Sequence, residues 1–476
     1  MEFEKATRLS ESLLWKLQND AYSEFGIEAW SRQGVPSYIT SNPFIARCYA
    51  HVVLGYIRDL IAQGTLVANE PIYLFDLGAG TGRFGFLFLK ELLSFLPNIN
   101  VCYVMTDIVQ ANLDFCRHHP LLQTYIQKGV LDFAYYHHQF ESEPLHLMVS
   151  QRTLTHMLNP IVLIANYFFD TIPQDLFRVR DGVLEEGRVA LSAENWEEGV
   201  KPEAINHLRW QWSYYPIEHA KDYYAHFPKA NALLNMYQKL FEGIAFLFPI
   251  GGMHSLRYFA KLSQNRLLLL AGDQGVSTEE QVKAWGEPKL SLHGSFSISV
   301  SYHALALFFR ELGGLSLLTS DPDPLFVVMG GILGGSSPEA THAFKEYLDA
   351  FDPTDYWKLV SSMMDNPANS LDQILLMLKF GNWDPMNMHA FFERIRELLP
   401  KATEGQRKWI SIAIERVWDN FYPISKDAAS FVLNLGVLLY DLGLYSDALK
   451  YFERALVIDS EVPHARQNIL LCLKHL

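Results

Sequence analysis

The sequence predicts an α/β protein: a doubly wound, mainly parallel sheet with a helical insertion, followed by an all-α domain. Three observations predict it. From Pro71 onward, apolar strand patterns alternate with helical ones, as they do when parallel strands are joined by crossover helices. An apolar run at 72–75 reaches Asp76, then Gly78, Gly80 and Gly82 at alternate positions, then a helical pattern over 84–96, which reads as strand, tight turn and helix. Beyond the glycine-rich stretch 330–338 only helical patterns remain.

Taken in order, residues 8–30 and 43–63 carry helical periodicity. Between them 36–43 is expected to be extended, because residues before proline avoid the helical region. The second strand covers 101–105 and ends at Thr106-Asp107, with further strands at 131–137 and 161–165. Runs at 176–180 and 183–191 flank Asp181-Gly182, a strong hairpin signal. Residues 195–262, rich in Trp, Tyr and His, read as a mostly helical insertion covering one end of the sheet. Strands resume at 266–270, 295–301 and 325–329. The break at 330–338 divides the chain into domains 1–335 and 336–476. At 429–474, Leu435, Gly436, Ala448, Phe452 and Ala455 fall at the spacing of a tetratricopeptide-like unit, with Ser460 at the repeat's usual proline. Two readings stand for these helices: a stacked array that docks a protein partner, or a helical cap.

Composition narrows the function classes. The chain has 476 residues, 49% hydrophobic and 19% charged, which suits two or three globular domains. A formal charge of −14 argues against a nucleic acid as the main partner, since phosphate binding needs clustered Lys and Arg. No signal-peptide core opens the sequence, and Arg266 and Asp273 bracket the strongest apolar run, 267–270, so no membrane partner is expected. Cys48, Cys102, Cys116 and Cys472 show no C-x-x-C spacing, which fits buried thiols in a reducing, cytoplasmic compartment.

The chemistry concentrates at strand ends. The spacing Asp-x-Gly-x-Gly-x-Gly from Asp76 to Gly82 differs from the dinucleotide pattern G-x-G-x-x-G. Backbone without β-carbons approaches a ligand closely at Gly78, Gly80 and Gly82. Asp107, 25 residues beyond Gly82, stands where an acidic residue accepts ribose hydroxyls in doubly wound sheets; the other reading is a helix N-cap. Asp76 is placed to orient the turn or to bind a ligand ammonium through water, and Asp132 to flank a base. The fourth strand runs into Asn166 and Asp170 at its carboxyl end, where polar groups face the crevice of an open sheet. There they would accept hydrogen bonds from an amine or guanidine and orient its lone pair. The pairs His118-His119 and His137-His138 are not expected to bind a metal, because neighbours on a strand point to opposite faces.

Over about residues 25–332 the chain resembles the MidA-like methyltransferases, the group that includes the mitochondrial complex I assembly-factor arginine methyltransferase. Ordered blocks carry the resemblance: residues 38–43, the glycine loop, Asn166-Tyr167-Phe168-Phe169-Asp170 with Pro173, the hairpin, Asp273-Gln274-Gly275, and 297–302. It implies a Rossmann-like class I fold that binds S-adenosyl-L-methionine through Asp76, Gly78, Gly80, Gly82, Asp107 and Asp132. It also implies methylation of a protein side chain, with Asn166 and Asp170 orienting the acceptor. The chain departs from the family at Tyr167, Ser295 and Ser301, where the family has carboxylates. That leaves arginine, lysine, another amine or an uncharged nucleophile as the acceptor. It also leaves a second reading, a catalytically inactive binding module that works through its helical C-terminus.

Overall fold

The computed structural model describes residues 2–31, 38–193, 202–292 and 295–476. In chain order the elements that matter are β1 (Glu2–Arg8), α1 (Leu13–Phe25), α2 (Glu28–Ser31), α3 (Pro43–Ala62), β2 (Ile72–Leu77), α4 (Arg83–Phe95), β3 (Val101–Asp107), α5 (Gln110–His118), β4 (Leu131–Tyr135) and β5 (Ile161–Asn166). There follow β6 (Asp175–Arg180), β7 (Val183–Ser192), β8 (Arg209–Pro216), α6 (Pro228–Leu240), β9 (Ala245–Phe248), α7 (Ile250–Leu262), β10 (Leu267–Asp273), α8 (Tyr302–Glu311), β11 (Leu315–Leu318) and β12 (Val327–Leu333).

Seven strands form the main sheet in the order β11-β12-β10-β5-β2-β3-β4. The pairs from β10 to β4 are parallel, and β12 runs antiparallel to both its neighbours. Strands β2 and β3 are buried along their whole length, as expected when helices cover both faces of a parallel sheet. The chain order reverses at β2, between β3 and β5, which opens a ligand crevice at the carboxyl ends of those strands. The sheet and its helices share one core that includes Phe75, Val104, Leu163, Phe259 and Leu269.

A second, five-stranded antiparallel sheet runs β1-β7-β6-β9, with β8 along the other edge of β7. The hairpin at Asp181-Gly182 is present: Arg180 pairs with Val183, and both turn residues have positive φ, 52° and 72°, as a two-residue turn of this kind requires. Here the structure corrects the expected helical insertion. Of 195–262, residues 195–201 lie outside the described residues; the remainder supplies β8 and β9 as well as α6 and α7. Residues 209–214 alternate charged or polar with aromatic side chains, and that period-two pattern pairs with β7 over its full length.

Two further expectations change. Pro36 and Ser37 lie outside the described residues, and Tyr38–Thr40 form a turn rather than an extended run. The Asn42 side chain accepts from the Ile45 amide at 3.0 Å and starts α3. The glycines at 330–331 are not a linker but the middle of buried β12. Side chains there would collide with Phe344 and Phe309 at 2.9 and 2.8 Å. The chain accordingly divides into Met1–Thr40 with Cys48–Thr354, and Ser41–Arg47 with Asp355–Leu476.

The second unit is helical. Its last three helices are α9 (Ala429–Asp441), α10 (Tyr445–Ile458) and α11 (Ala465–His475). Gly436 of α9 lies against Phe452 of α10, so close that a β-carbon would meet the ring at 2.6 Å. Among the described residues no helix is long and apolar enough to cross a membrane.

Candidate functional site

The glycine loop leaves β2 with Gly78, Gly80 and Gly82 at φ 72°, 53° and 74°, a left-handed path that other residues adopt only under strain. Hydrogen bonds fix it from beneath. The Ala79 amide donates to the Thr106 carbonyl at 2.8 Å and the Gly80 amide to Asp107 Oδ2 at 3.1 Å. Gly85 lets α4 lie on β3, since a β-carbon there would meet Met105 and Tyr103 at 2.5 and 2.8 Å.

Asp107 is 7% exposed and ties the glycine loop to the start of α5, whose N-cap is Val109 rather than Asp107 itself. Oδ1 accepts from the Val109 amide at 2.8 Å, at the start of α5, and Oδ2 accepts from Gly80 and from Asn112 Nδ2 at 3.3 Å. Three of about four acceptor positions of a carboxylate are then filled. Burial raises its pKa, opposed by these same donors. Asp76 is 4% exposed and accepts from the Tyr103 hydroxyl at 2.8 Å. Burial pushes its carboxyl up to about 7, with the Asp107 charge adding to the rise and the Tyr103 bond opposing it.

Asp132 does not join them. It pairs with Val104, three residues before Asp107 on β3, which is about 10 Å down the strand from the crevice. Its carboxylate accepts from the amides of Phe133, Val149 and Ser150 at 2.8–2.9 Å. It braces the 149–150 loop, and the expected base-flanking role is corrected.

A second cluster forms where β5 and β10 end. Asn166 Oδ1 accepts from the Tyr49 hydroxyl at 2.9 Å. Tyr167 takes φ 50°, the left-handed region, and turns the chain into the single turn Phe169–Thr171. Asp273, at the end of β10, accepts from the amides of Phe169 and Asp170 at 3.0 and 3.3 Å. The Asp170 and Asp273 carboxyls lie close enough for each to shift the other's titration. Burial above all raises both pKa values. Asp170 Oδ1, Asp273 Oδ1, Asn166 Nδ2 and Tyr302 Oη are buried with no hydrogen-bond partner. Such groups cost about 1–3 kcal/mol each when left unsatisfied, and four of them gather here.

The two clusters meet. A β-carbon on Gly78 would touch the Phe168 ring at 3.6 Å, so the glycine loop and the Asn166–Asp170 block share one crevice. Over it lie two aromatic side chains from the N-terminal helices that the sequence did not single out. Trp30 of α2 sits 2.9 Å from where a Gly80 β-carbon would be, and stacks on Tyr22 of α1 at 5.9 Å. The Tyr22 hydroxyl lies 3.2 Å from Ser295 Oγ. Burial first, with the charges of Asp170 and Asp107, pushes its pKa up to about 12. Ser301 caps α8, accepting from the Ala304 amide at 3.3 Å. His137 and His138 have adjacent rings 4.2 Å apart, and among the described residues no group of His, Cys, Asp and Glu is arranged to hold a metal.

Neither a protein-family model nor a curated protein matches this sequence. Among solved structures, a Burkholderia thailandensis protein with bound S-adenosyl-homocysteine aligns at 12% identity over 69% of this chain and 95% of its own, TM-score 0.40. Magnesium protoporphyrin IX methyltransferase from Synechocystis aligns at 9% identity over 67% of this chain and 99% of its own, TM-score 0.29. Phosphoethanolamine N-methyltransferase 1 from Haemonchus contortus aligns at 7% identity over 74% of this chain and 57% of its own, TM-score 0.25. These are distant likenesses; the geometry of the crevice carries the functional reading.

Proposed function

We propose that this protein is an S-adenosyl-L-methionine-dependent methyltransferase related to the MidA-like group, acting on an amine or guanidine of a protein side chain. The observation that carries the reading is the meeting of two clusters: a glycine loop held by Asp107, touching a buried block of unsatisfied polar atoms. The residues fit the cofactor. The loop from Gly78 to Gly82 lets backbone approach a nucleoside and its amino-acid tail, and Asp107 stands at the strand end where a ribose hydroxyl would be accepted. When bound, the cofactor supplies an electrophilic methyl group on a sulfonium.

The chain's own residues supply the rest. Methyl transfer is an in-line displacement, so positioning and an unprotonated nucleophile dominate its rate. Asn166 and the Asp170–Asp273 pair offer orphaned oxygens and an amide to hold the acceptor nitrogen. A carboxylate oxygen of the pair would take the proton that this nitrogen releases. Tyr22, Trp30 and Tyr49 close the crevice against water. The helical unit at 355–476 is proposed to dock the protein substrate, with its last helices as a tetratricopeptide-like element.

The test is transfer of a labelled methyl group from S-adenosyl-L-methionine to the protein and small-molecule fractions of a cell extract. Label in protein, absent with Asp170→Asn, supports the reading. Label confined to small molecules would replace the substrate class. No transfer with cofactor still bound would favour the inactive binding module, the reading that Tyr167, Ser295 and Ser301 suit.

A further inference from the structure

A separate cavity of about 530 Å³ opens beside Pro173, a volume within the usual range for a small-molecule site. It lies between the segment after β4, the start of α7 and residues 223–227; Arg8, His138, His254 and Arg257 are among its lining groups. Nothing in the methyl-transfer reading uses it.

Its two guanidinium groups differ. Arg8 is committed: it is ion-paired to buried Asp175 and lies over the Tyr223 and Tyr224 rings. Arg257 is held more loosely. It lies over the Phe227 ring at 4.1 Å, donates to the His226 carbonyl at 3.5 Å, and reaches Glu141 at only 3.5 Å, from a glutamate side chain that is 68% exposed. An ion pair that long and that exposed adds little. Arg257 Nη2 lies 3.0 Å from His254 Nδ1. With Nδ1 accepting, the neutral ring carries its proton on Nε2 as a free donor. Burial, then the Arg257 charge, lowers the His254 pKa and keeps that ring neutral. His138 is 8% exposed, and its Nε2 is buried with no hydrogen-bond partner. Burial first, then His137 and His254, pulls its pKa down to about 3.

The chamber therefore offers one loosely paired cation and two neutral imidazoles against a wall of Phe227, Tyr223 and Ile250. One available positive charge balances one negative charge, which suits a carboxylate better than a phosphate dianion. The aromatic wall suits a flat body behind it. We propose that this chamber is a second binding site, for a small aromatic carboxylate that takes the place of Glu141 beside Arg257 and accepts from the imidazole of His254.

The experiment is ligand-observed magnetic resonance on the full chain with benzoate, 4-hydroxybenzoate and indole-3-acetate, each beside its carboxamide. Members of the carboxylate set should bind and their carboxamides should not. Glu141→Gln, which removes the competing anion from an exposed position, should tighten binding. Arg257→Met should weaken it at least about tenfold, the scale of a lost charge-assisted hydrogen bond, and Arg257→Lys should restore only part. Absence of carboxylate binding at millimolar concentration overturns the proposal. So does equal binding of the carboxamides, or an affinity indifferent to both Arg257→Lys and Glu141→Gln.

Discussion

The Asp107 carboxylate accepts a hydrogen bond from the Gly80 amide at 3.1 Å, which ties the end of β3 to the glycine loop after β2. The residue that chain position suggests for ribose binding is also the clamp that shapes the loop. Asp107→Ala removes both at once. It should weaken S-adenosyl-L-methionine by roughly 1–3 kcal/mol and lower the melting temperature of the free protein. Asp107→Asn, which keeps one acceptor oxygen, should do less; calorimetry and thermal melting separate the two effects.

Gly80→Ala places a methyl group 2.9 Å from the Trp30 ring at a φ of 53°. The backbone strain alone costs roughly 1–2 kcal/mol, and Trp30 must leave the loop. Both stability and cofactor affinity should fall. A Gly80→Ala protein that binds as tightly as the parent would mean the loop does not contact the cofactor.

Burial raises the pKa of Asp170, to about 7, and of Asp273, so the pair should hold a proton near neutral pH. Infrared difference spectra at pH 7 should show a protonated carboxyl band that Asp273→Asn and Asp170→Asn each reduce, beside the contribution of Asp76, also raised to about 7. Cofactor affinity should survive both changes, while methyl transfer should fall. A spectrum with no protonated carboxyl would remove the proton-sharing pair.

Asp76 fixes the sign of one pH effect. Its folded carboxyl is raised to about 7 from an ordinary value of 3.8, so the folded state binds the extra proton between those values. Its stabilising contribution is complete below about pH 4 and is lost as pH rises through 7. Asp76→Asn keeps an acceptor for Tyr103 and cannot titrate. Relative to the parent it should gain stability from pH 4 to 8, by on the order of a few kcal/mol at most. Melting curves across that range check the slope.

In the helical unit, Gly436 allows α9 and α10 to touch at Phe452. Gly436→Leu overpacks that contact and should cost about 1–3 kcal/mol, seen as faster hydrogen exchange confined to 429–458.

Much of the sheet was legible because its strands are short apolar runs ending in marked residues: Asp76, Asp107, Asn166. The glycine loop and Asp170 were legible for the same reason. The misreadings have physical causes. Residues 209–214 alternate polar and aromatic side chains, and composition hid that period. Gly330 and Gly331 look like a linker in sequence but serve close packing against Phe344 and Phe309. Asp132 sits on the right strand but three residues too early, where loop amides occupy it. Asp273 stood out in the sequence only through the family resemblance, and its pairing with Asp170 arises where β5 and β10 lie side by side. Trp30 and Tyr22 reach the crevice from helices far away in sequence, and no local pattern marks such a contact. Asn112 escaped as well, although an amide five residues beyond Asp107, at the start of α5, was a usable signal.

The most direct measurement is calorimetric titration of the full chain with S-adenosyl-L-methionine and with S-adenosyl-homocysteine. The crevice described here should bind both at micromolar concentration, and Gly80→Arg should abolish both while leaving the fold intact by circular dichroism. Absence of binding at millimolar ligand would contradict the methyltransferase assignment.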